Sequence, residues 1–213
     1  MLGIPLGLLY ANAAEWTIHK YILHGLGKDK ESYWSFHWHD HHKNARKNGG
    51  YDPDYEQLPF SNSPQGKEAL GLAGLAVMHL PLFPLAPFFT ATVVYSAVDY
   101  YRKHKKAHLD PEWARENLPW HYDHHMGSNQ DANWCVTRPW FDDLMGTRKE
   151  YVGTEKELAR REKDKEKCAR IKDEQQTLKI DLRKYDSLEG KIADGWAMIT
   201  EIIENKVKEW IEG

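Results

Sequence analysis

Apolar positions are bunched in the first hundred residues of this chain rather than spaced at a helical period. Between Leu2 and Ile18 the only strongly polar residues are Asn12 and Glu15, and from Leu70 to Val98 there is no Lys, Arg, Asp or Glu. Runs that are apolar on every side read as helices facing lipid or a protein interior, not as surface helices with one wet face. At 1.5 Å per residue the first run reaches most of the way across a bilayer. Ala11-Asn12-Ala13 has the form of a cleavage site, but no positive segment precedes the run, so a retained helix is expected. In the second run Pro81, Pro84 and Pro87 fall at the centre, where proline breaks a helix and suits a bend. A hairpin is expected there, with arms of about 14 residues or roughly 21 Å, short against a hydrocarbon core of roughly 30 Å and therefore tilted or re-entrant. Lys67 before the run and Arg102, Lys103, Lys105 and Lys106 after it place both ends in the cytoplasm by the positive-inside tendency.

Between the runs lie a His- and Trp-rich segment, Tyr33 to His42, and a polar loop with turn signals at Asn48-Gly49-Gly50 and Asp52-Pro53. Asp110-Pro111-Glu112 reads as an N-cap followed by proline at the first helical position, which predicts a short helix over 111–117, and Pro119 restarts the chain before His121. After Gly153 the composition turns to Lys, Arg and Glu, and Thr154 and Glu157 have capping-box spacing, the start of a long helix. Ile171, Leu178, Tyr185, Ile192 and Ile199 repeat every seventh residue, with Leu182, Trp196, Ile203 and Trp210 four residues on from several of those positions. That stripe predicts a coiled coil or membrane-surface helix, with Gly190 and Gly195 allowing a break. The expected fold is all-α: an integral-membrane helical domain over 1–152, with a proline-centred transmembrane hairpin and a cytosolic His-rich cap, and a charged, coiled-coil-like helical extension over 153–213 through which chains could self-associate.

A formal net charge of −3 argues against nucleic acid as a partner, and two cysteines exclude a disulfide scaffold or a multi-cysteine metal site. The unusual counts are 12 His and 9 Trp. Eleven histidines fall in four groups: His19 and His24; His37, His39, His41 and His42; His104 and His108; and His121, His124 and His125. One ion takes about four to six ligands, so these groups predict two metal ions held close together. On a helix His104 and His108 share a face, as do His121, His124 and His125. His79 stands alone inside the apolar run and reads as a helix-contact or cavity residue. Groups on either side of residues 70–98 can meet only if that run folds back, which requires the hairpin. The site would then sit at the cytoplasmic membrane surface, beside an apolar channel and below an interfacial belt of Trp34, Trp38, Trp120 and Trp134, and a lipid-like substrate follows. There is no Glu-x-x-His pair of soluble di-iron bundles and no His-Glu-x-x-His of zinc proteases. HWHDHH departs from the metallo-β-lactamase run at His41, and no strand precedes it. Imidazole itself serves zinc, copper, iron and nickel alike.

In the order of these groups, and in the closing segment NWCVTRPWFDDLMGT with Asn133, Pro139, Trp140, Asp143, Gly146 and Thr147, the chain resembles the fatty acid hydroxylase and sterol desaturase superfamily of integral-membrane di-iron enzymes over about residues 15–150. That family's pattern is a histidine pair, a His-x-x-His-His box, a transmembrane hairpin, another pair and a second box. His19/His24, His104/His108 and His121/His124/His125 match it. In the first box position 38 is Trp, so either His37 or His39 completes it; His37, one helical turn from His41, is preferred, with His39 behind it or substituting. Many members carry further membrane helices before the first pair, where this chain has Leu2 to Ile18. The resemblance implies that the eleven histidines hold two irons, with zinc as a substitute in preparations. It also implies that dioxygen is activated there to hydroxylate, in preference to desaturating, a fatty acyl chain, sterol or carotenoid. Asp40, Asp123 and Asn133 are candidates to orient the imidazoles. With no flavin, haem or nicotinamide motif in view, electrons would come from a ferredoxin or cytochrome b5-type donor, which the charged tail could dock. The competing reading is a non-catalytic or zinc-bound member acting as a membrane assembly or interaction protein.

Overall fold

The structure, a computed structural model, describes residues 2–59, 61–185 and 202–206. The described residues contain helices and no strand, and the chain divides into compact units at residues 1–152 and 153–213.

In the first unit, α1 (Gly3–Thr17) runs into a π-helical segment, Ile18–Leu26. A second π-helical segment, His37–His42, leads into α2 (Lys43–Lys47). The apolar run folds as the expected hairpin. Ser63 caps α3 (Pro64–His79) by accepting from the Gly66 amide at 3.2 Å. The bend contains a 3-10 turn at Leu80–Leu82, and Pro87 opens α4 (Pro87–Leu109), where its missing N–H costs nothing. α4 packs against both α1 and α3. The approach to α1 is close enough to require glycine, since a Cβ at Gly7 would lie 2.8 Å from the Thr92 Cβ and one at Gly3 would lie 2.8 Å from the Phe89 amide nitrogen.

The hairpin's arms are as short as expected, and the transmembrane part of the expectation is corrected. Among the described residues no helix is long and apolar enough to cross a membrane. α3 spends its first turns on Gln65, Lys67 and Glu68, α4 becomes charged from Asp99 onward, and α1 has 15 residues. The outer surface of these helices is nonetheless strongly apolar, with Leu2, Leu6, Val77, Met78, Leu85 and Phe88 all more than half exposed.

α5 (Pro111–Asn117), α6 (Pro119–Met126) and α7 (Trp140–Met145) complete the unit, and α5 starts as predicted, with the Asp110 carboxylate accepting from the Trp113 amide at 3.1 Å. A small core of Ala107, Ala114, Leu118, Tyr122 and Met126 ties α4, α5 and α6 together. The two polar residues of the first apolar run have a specific task. Asn12 donates to the Arg138 carbonyl at 2.8 Å and accepts from the Phe141 amide at 3.1 Å. The Glu15 carboxylate accepts from the Val136 amide, the Thr137 amide and the Thr137 hydroxyl at 3.1, 2.9 and 2.6 Å. Trp16 donates to the Thr147 hydroxyl at 2.9 Å. Residues 12, 15, 16 and 19 lie on one face of a helix, so α1 presents one polar stripe that binds the closing segment.

In the second unit α8 (Glu155–Tyr185) begins at the expected cap, where the Thr154 hydroxyl accepts from the Glu157 amide at 3.3 Å and the Glu157 carboxylate accepts from the Gly153 amide at 2.8 Å. The later stripe positions Ile192, Trp196, Ile199 and Trp210, with Gly190 and Gly195, lie outside the described residues.

Candidate metal centre

Ten histidines converge on two neighbouring clusters. In one, a ligating nitrogen from each of His19, His24, His37, His42 and His124 lies within 4.8 Å of the others. In the second, His41, His104, His108 and His125 do the same, and His121 stands against it with its Nε2 3.1 Å from that of His108. His39 belongs to neither: its Nε2 faces the Lys28 carbonyl at 3.1 Å, and His37 completes the first box.

Helix type sorts the histidine pairs, while His41 and His124 cross from their own segments to the other cluster. Residues five apart on an α-helix point about 140° away from each other, whereas a π-helix, hydrogen-bonded i to i+5, brings them onto one face. His19/His24 and His37/His42 are five apart, lie on the two π-helical segments and belong to the first cluster. His104/His108 and His121/His125 are four apart and lie on α4 and α6; three of them belong to the second cluster and His121 stands against it. The extra residue in the first box is therefore absorbed by a wider helical turn. A position without its histidine has not been lost.

Hydrogen bonds at the outer nitrogens settle the tautomers. Nδ1 of His19 lies 2.6 Å from the Trp134 carbonyl, that of His124 2.6 Å from the Ala132 carbonyl and that of His108 2.8 Å from the Gly50 carbonyl. Nδ1 of His41 meets the Asp52 carboxylate at 2.7 Å, that of His24 meets Asp131 at 3.4 Å and that of His104 meets Glu68. Carbonyls and carboxylates only accept, so each of these Nδ1 atoms carries the proton and each Nε2 turns a lone pair inward. Yet Nε2 atoms face one another at 2.9 Å for His19 and His37, 3.0 Å for His24 and His42 and 3.1 Å for His42 and His124. His42 can donate to one neighbour and not to all. In the second cluster Nε2 of His41 and of His104, and both nitrogens of His125, are buried with no partner. Buried lone pairs aimed at one another are costly unless a cation lies between them, so these donor sets fit metal ions. Burial, reinforced by neighbouring imidazoles, pushes His37, His42, His121 and His125 well below the usual histidine range, and burial takes His124 down to about 3. The rings stay neutral and able to ligate.

The expected orienting residues act at different ranges. Asp40 is exposed. Asp123 accepts from Arg148 at 2.6 Å and from the Val152 amide at 2.7 Å. Asn133 accepts from Arg148 at 3.0 Å and from the Lys149 amide at 2.7 Å. With φ 58, Asn133 is the one non-glycine residue described in the left-handed region. Its flanking carbonyls, at Ala132 and Trp134, are those that meet His124 and His19. Asp123, Asn133 and Arg148 thus hold the loop that holds the ligands. The carboxylates that touch imidazoles directly, Asp52, Glu68 and Asp131, escaped the sequence reading; acids at the edge of a turn and at the foot of an apolar run were the available signal. In the closing segment it is Asp142, fully buried, that accepts from the Trp134 and Cys135 amides, each at 2.8 Å, and not Asp143. The expected tryptophan belt is corrected at one member, Trp134, while Trp34, Trp38 and Trp120 are half-buried. Trp134 is buried against His19, His24 and His124, Trp38 packs on His24 and His42, and Trp120 donates to the Val136 carbonyl at 2.8 Å.

A cavity of about 380 Å³, within the range of ligand pockets, lies between α1, α3 and α4. His19 and His37 stand at one end, and at the other are Tyr10 and His79, whose side chains meet at 2.9 Å. His79 is thus a cavity residue, as its isolation suggested. Gly71 and Gly74 line the wall, and a Cβ at either would meet nothing within 4 Å.

The fatty acid hydroxylase family model matches residues 4–147, about two thirds of the chain and all eleven clustered histidines. No curated protein and no solved structure matches it.

Proposed function

The chain belongs to the fatty acid hydroxylase family, and we propose that it is a membrane-embedded di-iron oxygenase that hydroxylates an unactivated C–H bond of a lipid chain. The observation that carries this reading is that an apolar, chain-sized cavity ends at His19 and His37, members of the first of two neighbouring clusters of inward-facing imidazoles.

His19, His24, His37, His42 and His124 would hold one iron, and His41, His104, His108, His125 and His121 the other. The chemistry supplied by a bound iron pair is reduction of dioxygen: one oxygen atom enters the C–H bond and the other leaves as water, with two electrons and two protons taken from outside. The residues of the chain position and insulate. Carbonyls and carboxylates at Nδ1 fix each ring's tautomer and tilt. Ile22, Leu75 and Val93 line the cavity with apolar side chains that exclude water and align the substrate along the helices. Glu68, at the cavity wall, also holds the Nδ1 proton of His104. A ferredoxin or cytochrome b5-type protein is the electron donor in this account. The exposed apolar surface of α1, α3 and α4 beds in the membrane from its cytoplasmic side.

The test is turnover of an acyl substrate by iron-loaded protein with a reducing donor under 18O-labelled dioxygen. One labelled atom per product, lost in His125→Ala, is expected. Product formed without dioxygen, or carrying oxygen from water, would refute the reading.

A further inference from the structure

Lys67 is the one lysine or arginine among the residues that line the cavity, and it stands at the metal end. Its ammonium lies 5.2 Å from the centre of the Phe36 ring and 5.9 Å from that of Tyr33, and Phe36 adjoins His37 in the chain. No carboxylate among the described residues pairs with it. The two acids that share the cavity wall are engaged elsewhere: Glu15 accepts from Val136 and Thr137, and Glu68 accepts from Tyr55 at 2.6 Å and meets His104. An ammonium held against aromatic faces, partly screened from water and lacking a counter-ion, is a site for an anion. From Lys67 the cavity runs along α3 to His79, twelve residues or about 18 Å away.

We propose that Lys67 binds the anionic head of a single-chain amphiphile whose tail extends toward Tyr10 and His79. The head then sits beside the first imidazole cluster, so the carbons nearest the head, and not the tail end, stand next to His37 and His19. This rests on the reading of the cavity as the substrate site but not on turnover, and its test is a binding experiment.

The full chain in detergent is titrated calorimetrically with a sixteen-carbon fatty acid, the corresponding alcohol and the corresponding alkyl phosphate. The wild type is expected to bind at least one of the two anions about tenfold more tightly than the alcohol, the scale of one charge-assisted hydrogen bond, and the tighter of the two names the head. Lys67→Met should abolish that preference while leaving the affinity for the alcohol unchanged, and Lys67→Arg should keep it. Equal binding of acid, phosphate and alcohol by the wild type would overturn the proposal, as would binding of none of them. So would a preference that survives in Lys67→Met, which would mean that the anion meets a metal directly, or a Lys67→Met loss shared by the alcohol, which would mean that the lysine only packs. None of these results depends on whether the protein oxidises its ligand, so failure here and failure of the oxygenase reading are separable.

Discussion

Asp52→Asn removes half of one hydrogen-bonding arrangement and leaves the volume of the side chain unchanged. The Asp52 side chain is fully buried; one of its oxygens accepts from His41 Nδ1 at 2.7 Å and the other from the Asp54 amide at 3.1 Å. An amide has a single accepting oxygen, so in the variant either His41 or the Asp54 amide loses its acceptor. If His41 loses it, the ring is free to rotate or change tautomer, and its Nε2, buried and without a protein partner, no longer points reliably into the second cluster. A hydrogen bond to a charged group contributes about 1.5–3 kcal/mol, and loss of a carboxylate behind a metal-bound imidazole costs about 10- to 100-fold in affinity, or about 1.4–2.7 kcal/mol. The two routes agree. In a chelator competition the variant should therefore lose one of its two metals about 10- to 100-fold more readily than wild type, with the other unaffected. Asp40→Asn, on an exposed residue beside the same box, should match wild type. Equal retention by Asp52→Asn, or an equal loss in Asp40→Asn, would refute the assignment of Asp52 as the group that orients His41.

Within the first box, His37→Ala should release metal from the first cluster, whereas His39→Ala should leave metal content at the wild-type value when both are assayed by elemental analysis. Gly74→Leu puts a side chain into open cavity space and removes a helix-interior glycine, worth up to about 1 kcal/mol; its melting temperature should be unchanged or raised while turnover falls more for long chains than for short ones, and an equal loss for both would contradict the cavity's role. Acid should unfold the metal-stripped protein. His37, His42, His121, His124 and His125 are neutral when folded, their pKa values lying below the unfolded value of 6.5. The unfolded chain thus binds more protons as pH falls through 6.5, and each ring costs up to about 1.4 kcal/mol per pH unit below it. Thermal melts should show stability falling from about pH 6 downward, later when metal is bound, and a flat profile to about pH 4 would count against neutral buried imidazoles.

Much of the centre was legible because its chemistry is written in one residue type. Histidines are costly to bury in number, so eleven in four groups around a proline-broken apolar run announced both the metal site and the fold-back that assembles it. The choice between His37 and His39 was less legible, because it depends on a π-helical turn for which residue spacing read as an α-helix gives no warning. Asn12 and Glu15 were visible as polar residues in an apolar run, but their partners lie more than 120 positions away, at Val136, Thr137, Arg138 and Phe141, a pairing that no local pattern carries. Separation along the chain, 107 and 36 positions, likewise hid Asp131 behind His24 and Glu68 behind His104. Trp134 misled for a physical reason: an amphipathic ring suits a membrane interface, and it equally suits a wall around imidazoles, where Trp134 is found.

The central claim is that two imidazole clusters each hold one metal ion. The most direct test is the metal content of the full chain purified anaerobically from membranes, measured beside its change in absorption on exposure to dioxygen. The account predicts two irons per chain that oxidise on contact, falling to one in His42→Ala and in His108→Ala. No bound metal, or a single ion lost equally in both variants, would contradict it.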